Sequence, residues 1–323
     1  MAATTARLPA AEQGLRPINL QRHLGGVAAL MELCFGDTLD RQGWGAVREM
    51  RSLANSGLLL WLLGSFSPSW QLGYVWLEGG RVVGNVSTQP AEYDSSTWLI
   101  ANVAVHPEHR RNDIGHSLTQ AAIDLARSRG ATRVLLQVHR QNIGALELYE
   151  KLGFHTLTTR TTWERVATTR TRPDPAPGIA IRPARFADWQ TEYTLVTAVR
   201  PEGFNWTRPL RPADWRPTLW AALADLFNAR TTRRWLAEQP DNNKLLGLAR
   251  LDTAYGSPNQ LNLVIRPEWQ AQLERPLLTI ALSRLAGSTF ATRLDHPAGQ
   301  AETLLQELGF RPLQTLVWME KRI

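Results

Sequence analysis

The stretch best equipped for chemistry begins Val103-Ala104-Val105-His106-Pro107-Glu108-His109 and continues Arg110-Arg111-Asn112-Asp113-Ile114-Gly115-His116-Ser117-Leu118. Apolar residues give way to a short polar segment, and an amphipathic pattern starts at Ile114. That order predicts a strand, a tight loop and a helix entered straight from the loop. The first turn of a helix has backbone N–H groups with no partner inside the helix and a partial positive charge, so it favours anions. Gly115 leaves out a side chain where a phosphate could approach the backbone. Arg110 and Arg111 add charge-assisted donors beside it. Such a loop suits a pyrophosphate.

The loop Arg110-Arg111-Asn112-Asp113-Ile114-Gly115 resembles motif A of the GNAT acetyltransferases, which reads Gln/Arg-x-x-Gly-x-Gly/Ala. Downstream, Asn142, Ala145, Tyr149, Glu150, Lys151, Gly153 and Phe154 match the family's N-x-x-A-x-x-x-Y-E-K-x-G-F signature. The resemblance covers residues 14–166 and implies that acetyl-CoA is the acyl donor; no metal-type Cys/His spacing occurs, so no metal is expected. It implies that N–H groups of the 110–115 loop, continuing to His116, cradle the CoA pyrophosphate. It also implies that strand Val103-Ala104-Val105 pairs with the pantetheine amides, and that Tyr149 protonates the departing thiolate. The chemistry is consistent, since a phenol is a donor with a pKa of about 10. Without the signature, Tyr149 also reads as a core residue on the inner face of its helix. Asn142 could contact pantetheine or cap that helix.

Asp113 departs from the pattern by standing at the loop's central glycine. Its carboxylate would repel phosphates and could cap the helix, occupying N–H groups that a phosphate needs. The strand position where some members of the family carry a basic glutamate is Leu99. Glu92, Asp94, His106 and His139 lie near the right elements, and an ordered water chain is an alternative proton acceptor. Aminolysis of a thioester depends mainly on proximity and carbonyl polarisation, so a missing base does not exclude activity. Trp44, Trp61, Trp70, Trp76 and Trp98 could line an apolar acceptor pocket or fill the core.

These residues need a scaffold. A strand at 15–20, helical segments to about 54, and a glycine-turn hairpin over Tyr74–Leu77 and Arg81–Ser87 are expected, followed by a strand at Trp98–Val105. Ile114, Leu118, Ala121, Ala122, Leu125 and Ala126 give a helix over 114–129 with one apolar face, ended by Gly130. A strand at Val134–Val138, a helix at 142–152 and a strand at 154–166 complete an α/β fold with a mixed sheet.

The segment 168–178 (Thr-Thr-Arg-Thr-Arg-Pro-Asp-Pro-Ala-Pro-Gly) breaks the chain and reads as a linker. On either side the same features recur in order. Leu15-Arg16-Pro17 is echoed by Ile181-Arg182-Pro183, Val105-His106-Pro107-Glu108 by Ile265-Arg266-Pro267-Glu268, and Leu152-Gly153-Phe154 by Leu308-Gly309-Phe310. The echoes argue for a duplication, with a GNAT domain at 14–167 and a degenerate GNAT-like copy at 179–323. In the second copy the loop has lost its glycine, Glu274 brings negative charge, Pro276 lacks an N–H, and Leu305 replaces the tyrosine. The tandem arrangement also resembles mycothiol synthase, but there the resemblance would place activity in the C-terminal half, which here is the altered one. Arg200–Pro217 reads as a loop, either exposed or reaching the other domain.

The chain has 323 residues, enough for two domains that each bury a core, and a formal net charge of +7. The arginines are scattered and form no basic block, which argues against nucleic acid as the main ligand. The lone Cys34 forms no internal disulfide and reads as a buried inert thiol. The N-terminus lacks a signal-peptide core and the longest apolar run, Leu58–Leu63, cannot span a bilayer, so a cytoplasmic protein is expected. The leading expectation is acetyl transfer from acetyl-CoA to a primary amine, on a small molecule or peptide, by direct attack in a ternary complex. The alternative is a non-catalytic acyl-CoA-binding sensor. A monomer or a homodimer is compatible with either.

Overall fold

In the computed structural model, residues 13–36, 48, 50, 73–91, 94–166, 171–200, 212–216, 218, 230–285 and 289–323 are described. Trp44, Trp61, Trp70, Glu92, Leu58–Leu63, residues 37–47, 49 and 51–54 of the helical stretch expected before 54, and most of the 200–217 loop lie outside them. The chain forms two compact units. The first takes the described residues up to Val138, Asn142–His155 and Met319–Ile323; the second takes His139–Gln141 and Thr156–Trp318.

In the first unit β1 (Gly14–Pro17), β2 (Gly73–Glu78), β3 (Arg81–Ala91) and β4 (Asp94–Val105) pair antiparallel in sequence order. Gly79 and Gly80, at φ 56° and 78°, make the β2–β3 hairpin turn, a conformation only glycine adopts without strain. Helix α1 (Leu20–Phe35) is capped by the Asn19 side chain. β5 (Arg133–His139) runs parallel to β4, reached through helix α2 (Ile114–Ser128). The expected apolar face of α2 is largely buried, with Ile114, Leu118, Ala122, Leu125 and Ala126 inside. Each large side chain there contributes roughly 1.5–3 kcal/mol by leaving water. The helix lies close on the sheet at Gly84, where an added Cβ would come within 2.8 Å of Leu118 Cδ1 and 2.9 Å of Ile114 Cγ2. Helix α3 (Ile143–Lys151) follows β5.

The second unit repeats this plan. β7 (Ala180–Pro183), β8 (Arg230–Gln239), β9 (Lys244–Ala254) and β10 (Asn259–Ile265) are antiparallel neighbours, and β11 (Thr292–Pro297) is parallel to β10. Helix α4 (Trp189–Val199) matches α1, α5 (Glu274–Ser283) matches α2, and α6 (Glu302–Glu307) matches α3. Gly247 stands where Gly84 does, 3.1 Å from Ile265 and 3.3 Å from Leu277 by its missing Cβ. Both α3 and α6 end in the same glycine cap. Gly153 and Gly309 sit at φ 84° and 82°, and the N–H groups of Phe154 and Phe310 each reach the carbonyl five residues back, Tyr149 and Leu305, at 2.9 Å.

The units do not coincide with the halves on either side of the linker. β6 (His155–Arg165), the last strand of the first half, lies in the second unit apart from His155, and its residues Arg160–Arg165 pair with β11. The end of β12 (Arg311–Arg322), the last strand of the second half, belongs to the first unit.

Candidate active site

The β4 strand does two unusual things as it approaches the loop. Its parallel register with β5 runs from Thr97↔Arg133 to Ile100↔Leu136 and stops there, so residues 101–105 continue beside β3 only. Its register with β3 also slips, from Ser87↔Ala101 to Asn85↔Ala104, which leaves Asn102 and Val103 opposite a single residue. Asn102 takes φ 54°, a left-handed conformation asparagine tolerates better than most residues, and its carbonyl accepts from Asn85 Nδ2 at 3.0 Å. This is a β-bulge, a device that redirects a strand. Neither Asn102 nor the buried Asn85 figures among the sequence candidates; an asparagine inside an apolar strand run is the signal that could have found them.

After β4 comes a single 3-10 turn, Pro107–His109, and then the loop. Arg111 and Asp113 lie at φ 64° and 58°. Among the described residues no acceptor lies on the N–H groups of Arg111, Asn112, Asp113, Ile114, Gly115 or His116; the helix ladder starts with Ser117 N–H to Asp113 O at 3.0 Å. A row of unpartnered donors at the start of a helix is chemically suited to an anion.

Two expectations need correction here. Asp113 does not cap α2: its side chain makes no cap hydrogen bond, because the residue is in the left-handed region rather than the extended one a cap requires. Gly115 does not face the ligand side, since an added Cβ would meet Leu148 Cδ2 at 3.3 Å and Val105 Cγ2 at 3.7 Å. Glycine here lets α2 approach α3 and β4. Arg110 is exposed, and its Nε donates to Val105 O at 3.1 Å beside Cys34, whose Sγ donates to the same carbonyl at 3.5 Å. Burial pushes the Cys34 thiol up, against the pull of Arg110. Val105 O is therefore engaged within the protein.

Tyr149 is buried in α3, its ring packed edge-on to Phe154 at 6.0 Å. Burial raises its pKa to about 12, so the phenol keeps its proton at every physiological pH. Asn142 takes the capping alternative: its Oδ1 accepts from Ala145 N–H at 3.2 Å. Trp76 and Trp98 are half-buried on β2 and β4.

Of the candidate bases, Asp94 is held low by hydrogen bonds from Ser96 and Thr97. It anchors a turn. His106 Nδ1 faces Glu108 N–H at 3.4 Å, and His109 Nδ1 pairs with Glu78 at 2.8 Å. Leu99 lies between Gln89 and Leu135 in the sheet, and His139 falls in the second unit.

Residues 43–154 match the acetyltransferase (GNAT) family. The first half of this chain carries a GNAT-family domain. N-alpha-acetyltransferase 30 of Schizosaccharomyces pombe is 33% identical over 92 residues, which is 28% of this chain and 61% of that protein, so the chain spans under two thirds of that relative's length. A GCN5-related N-acetyltransferase from Sphaerobacter thermophilus shares the fold at TM-score 0.63 and 15% identity, covering 95% of both chains. A tandem GNAT protein from the clavulanic acid biosynthesis pathway does so at TM-score 0.52 and 16% identity, covering 96% of this chain and 98% of that one. The GNAT fold thus extends over nearly the whole molecule as a tandem. No described helix is long and apolar enough to cross a membrane.

Proposed function

We propose that the protein is an acetyl-CoA-dependent N-acetyltransferase that acts on a primary amine, with its site in the first unit. The observation that carries this is the row of unpartnered N–H groups from Arg111 to His116. It lies at the end of a strand whose pairing with β5 has already stopped. Acetyl-CoA would supply the activated acetyl group. The loop amides and Arg111 would hold its diphosphate, and the unpaired edge of β4 around Val103 would take pantetheine amides. Tyr149, protonated and buried, would hold a proton for the leaving sulfur. Asn142 and Ala145 would contribute by setting the start of α3, where Asn142 Oδ1 accepts from Ala145 N–H. Ile114 would anchor the helix start from inside the core. The amine would attack directly within a ternary complex and lose its proton through water; among the described residues, Asp94 is committed to hydrogen bonds from Ser96 and Thr97.

Calorimetry with acetyl-CoA, followed by a thiol-release assay over a panel of small amines and peptide N-termini, tests the reading. Saturable binding with thiol release is expected. Binding without release from any amine would point to a non-catalytic acyl-CoA sensor, and absence of binding would overturn both.

A further inference from the structure

We propose that Lys321, supplied by the last strand of the second half, is a positioning residue for the helix that carries Tyr149. The role of Tyr149 rests on the reading above; the clamp itself does not. α3 has nine residues, too few to hold its shape unaided. Its start is fixed by Asn142. Its end is fixed by Lys321, whose Nζ donates to Leu152 O at 2.6 Å. A cation at the carbonyl end of a helix satisfies a free acceptor and complements the helix dipole. Lys321 lies alongside the cap, 3.8 Å from where a Cβ on Gly153 would be. The same cap places Phe154 N–H on the carbonyl of Tyr149 at 2.9 Å, so the turn that Lys321 grips is the turn that orients Tyr149.

The strand end is itself anchored. Buried Glu320 meets His155 Nε2 at 2.9 Å and Arg133 Nη1 at 3.5 Å, and Ile323 N–H reaches Thr132 O at 2.9 Å.

The second unit repeats the arrangement with the halves exchanged. Arg165, at the end of the first half's last strand, donates from Nε to Leu308 O at 2.7 Å and lies 3.6 Å from the Cβ position of Gly309. Its neighbour Glu164 pairs with Arg293 at 2.8 Å, as Glu320 does with Arg133. Glu164-Arg165 and Glu320-Lys321 are thus a further echo between the halves, and each closes a helix in the unit built mainly from the other half. A contact made twice by equivalent residues belongs to the fold and is not a chance surface pairing. Where α6 offers only Leu305, α3 offers a phenol, so the clamp bears on chemistry in the first unit alone. The degenerate half therefore contributes by donating this strand end.

The test uses the full chain with Lys321→Met, Lys321→Arg and, as control, Arg165→Met. Lys321→Met is expected to lower kcat by about ten- to a hundredfold, since small misplacements of a reacting group cost that much. KM for acetyl-CoA should stay within about twofold, because the anion cradle is on α2. Amide hydrogen exchange should quicken in 143–152 and not in 114–128. Lys321→Arg should restore both readouts, because arginine does this work in the second unit. Arg165→Met should quicken exchange in 302–308 and leave turnover unchanged. If Lys321→Met does not fold, Lys321→Gln replaces it under the same criteria. Unchanged exchange in 143–152 and unchanged kcat would overturn the proposal. Faster exchange in a protein whose wild type shows no turnover would instead overturn the acetyltransferase reading and leave the clamp standing.

Discussion

The loops at 106–116 and 266–276 start on one backbone path and differ in what they leave open. Each starts with an N–H bonded back to β3 or β9, His106 to Val83 O at 2.8 Å and Arg266 to Leu246 O at 2.9 Å. Each makes a 3-10 turn behind a proline and then a left-handed residue, Arg111 at φ 64° or Ala271 at φ 66°. The paths diverge at the second residue beyond that point. Asp113 is left-handed and exposed, whereas Leu273 sits at φ −100°, buried in the core, with its N–H on Trp269 O at 3.2 Å. Gln272 N–H goes to the same carbonyl at 3.3 Å, and Pro276, in the place of His116, has no N–H to offer. The strand–turn–helix path is therefore a property of the fold. The proposed anion cradle has in addition a second left-handed residue, Asp113, and amides without acceptors among the described residues.

The largest effect expected from this contrast is at the paired helices. Tyr149→Phe should lower kcat by about a hundredfold or more, the usual worth of a positioned acid, with acetyl-CoA affinity little changed. Full turnover in that variant would remove Tyr149 from the mechanism. Leu305→Tyr should add no activity, because no cradle lies beside it.

A second contrast lies in the parallel strands. Counting from Arg133 and Arg293, His296 occupies the place of Leu136. Burial lowers the His296 pKa from 6.5 to about 4, and its Nε2 has no hydrogen-bond partner among the described residues. An unfolded histidine gains a proton below pH 6.5 while the folded one does not, so stability should fall as pH drops from 6.5 towards 4, by up to about 3 kcal/mol. Denaturant unfolding of His296→Leu should lack that component. An equal pH slope in both proteins would assign the loss to other groups.

Gly84→Ala and Gly247→Ala should each cost roughly 1–3 kcal/mol through overpacking, read from thermal melts. Only Gly84→Ala should also weaken acetyl-CoA binding, since the side chain it displaces lies in the first turns of α2. Equal binding by both variants would uncouple the cradle from that packing.

The smallest effect is at the loop. Asp113→Gly should tighten acetyl-CoA binding about threefold, because glycine takes φ 58° without strain and the change removes a negative charge from the helix entrance. Weaker or equal binding in calorimetry would show that Asp113 is not a penalty. Leu273→Gly should create no binding in the second unit.

Much of this is legible in the chain. The periodicity of Ile114, Leu118, Ala122, Leu125 and Ala126 marks the face of α2, and the glycines at 79–80, 153 and 309 mark a hairpin and two helix ends. Those features depend on residues a few positions apart, which is the range over which sequence pattern and local conformation are linked. Asp113 reads as a cap in the sequence because the composition of a loop does not reveal which residues turn left-handed. Gly115 reads as a ligand contact because the neighbour that fills its space, Leu148, is remote in sequence.

By itself the sequence determined that the chain is a duplication, that one copy retains a loop able to face an anion, and that this copy bears a tyrosine where the other bears leucine. Tertiary structure decided which amides remain free, that Asn142 spends its side chain on capping, and that each half closes the other's helix through Lys321 or Arg165. The reason is that local pattern fixes the elements, whereas the partner of a strand edge or a helix end is chosen among all surfaces that can reach it, and here that partner comes from the opposite half of the chain.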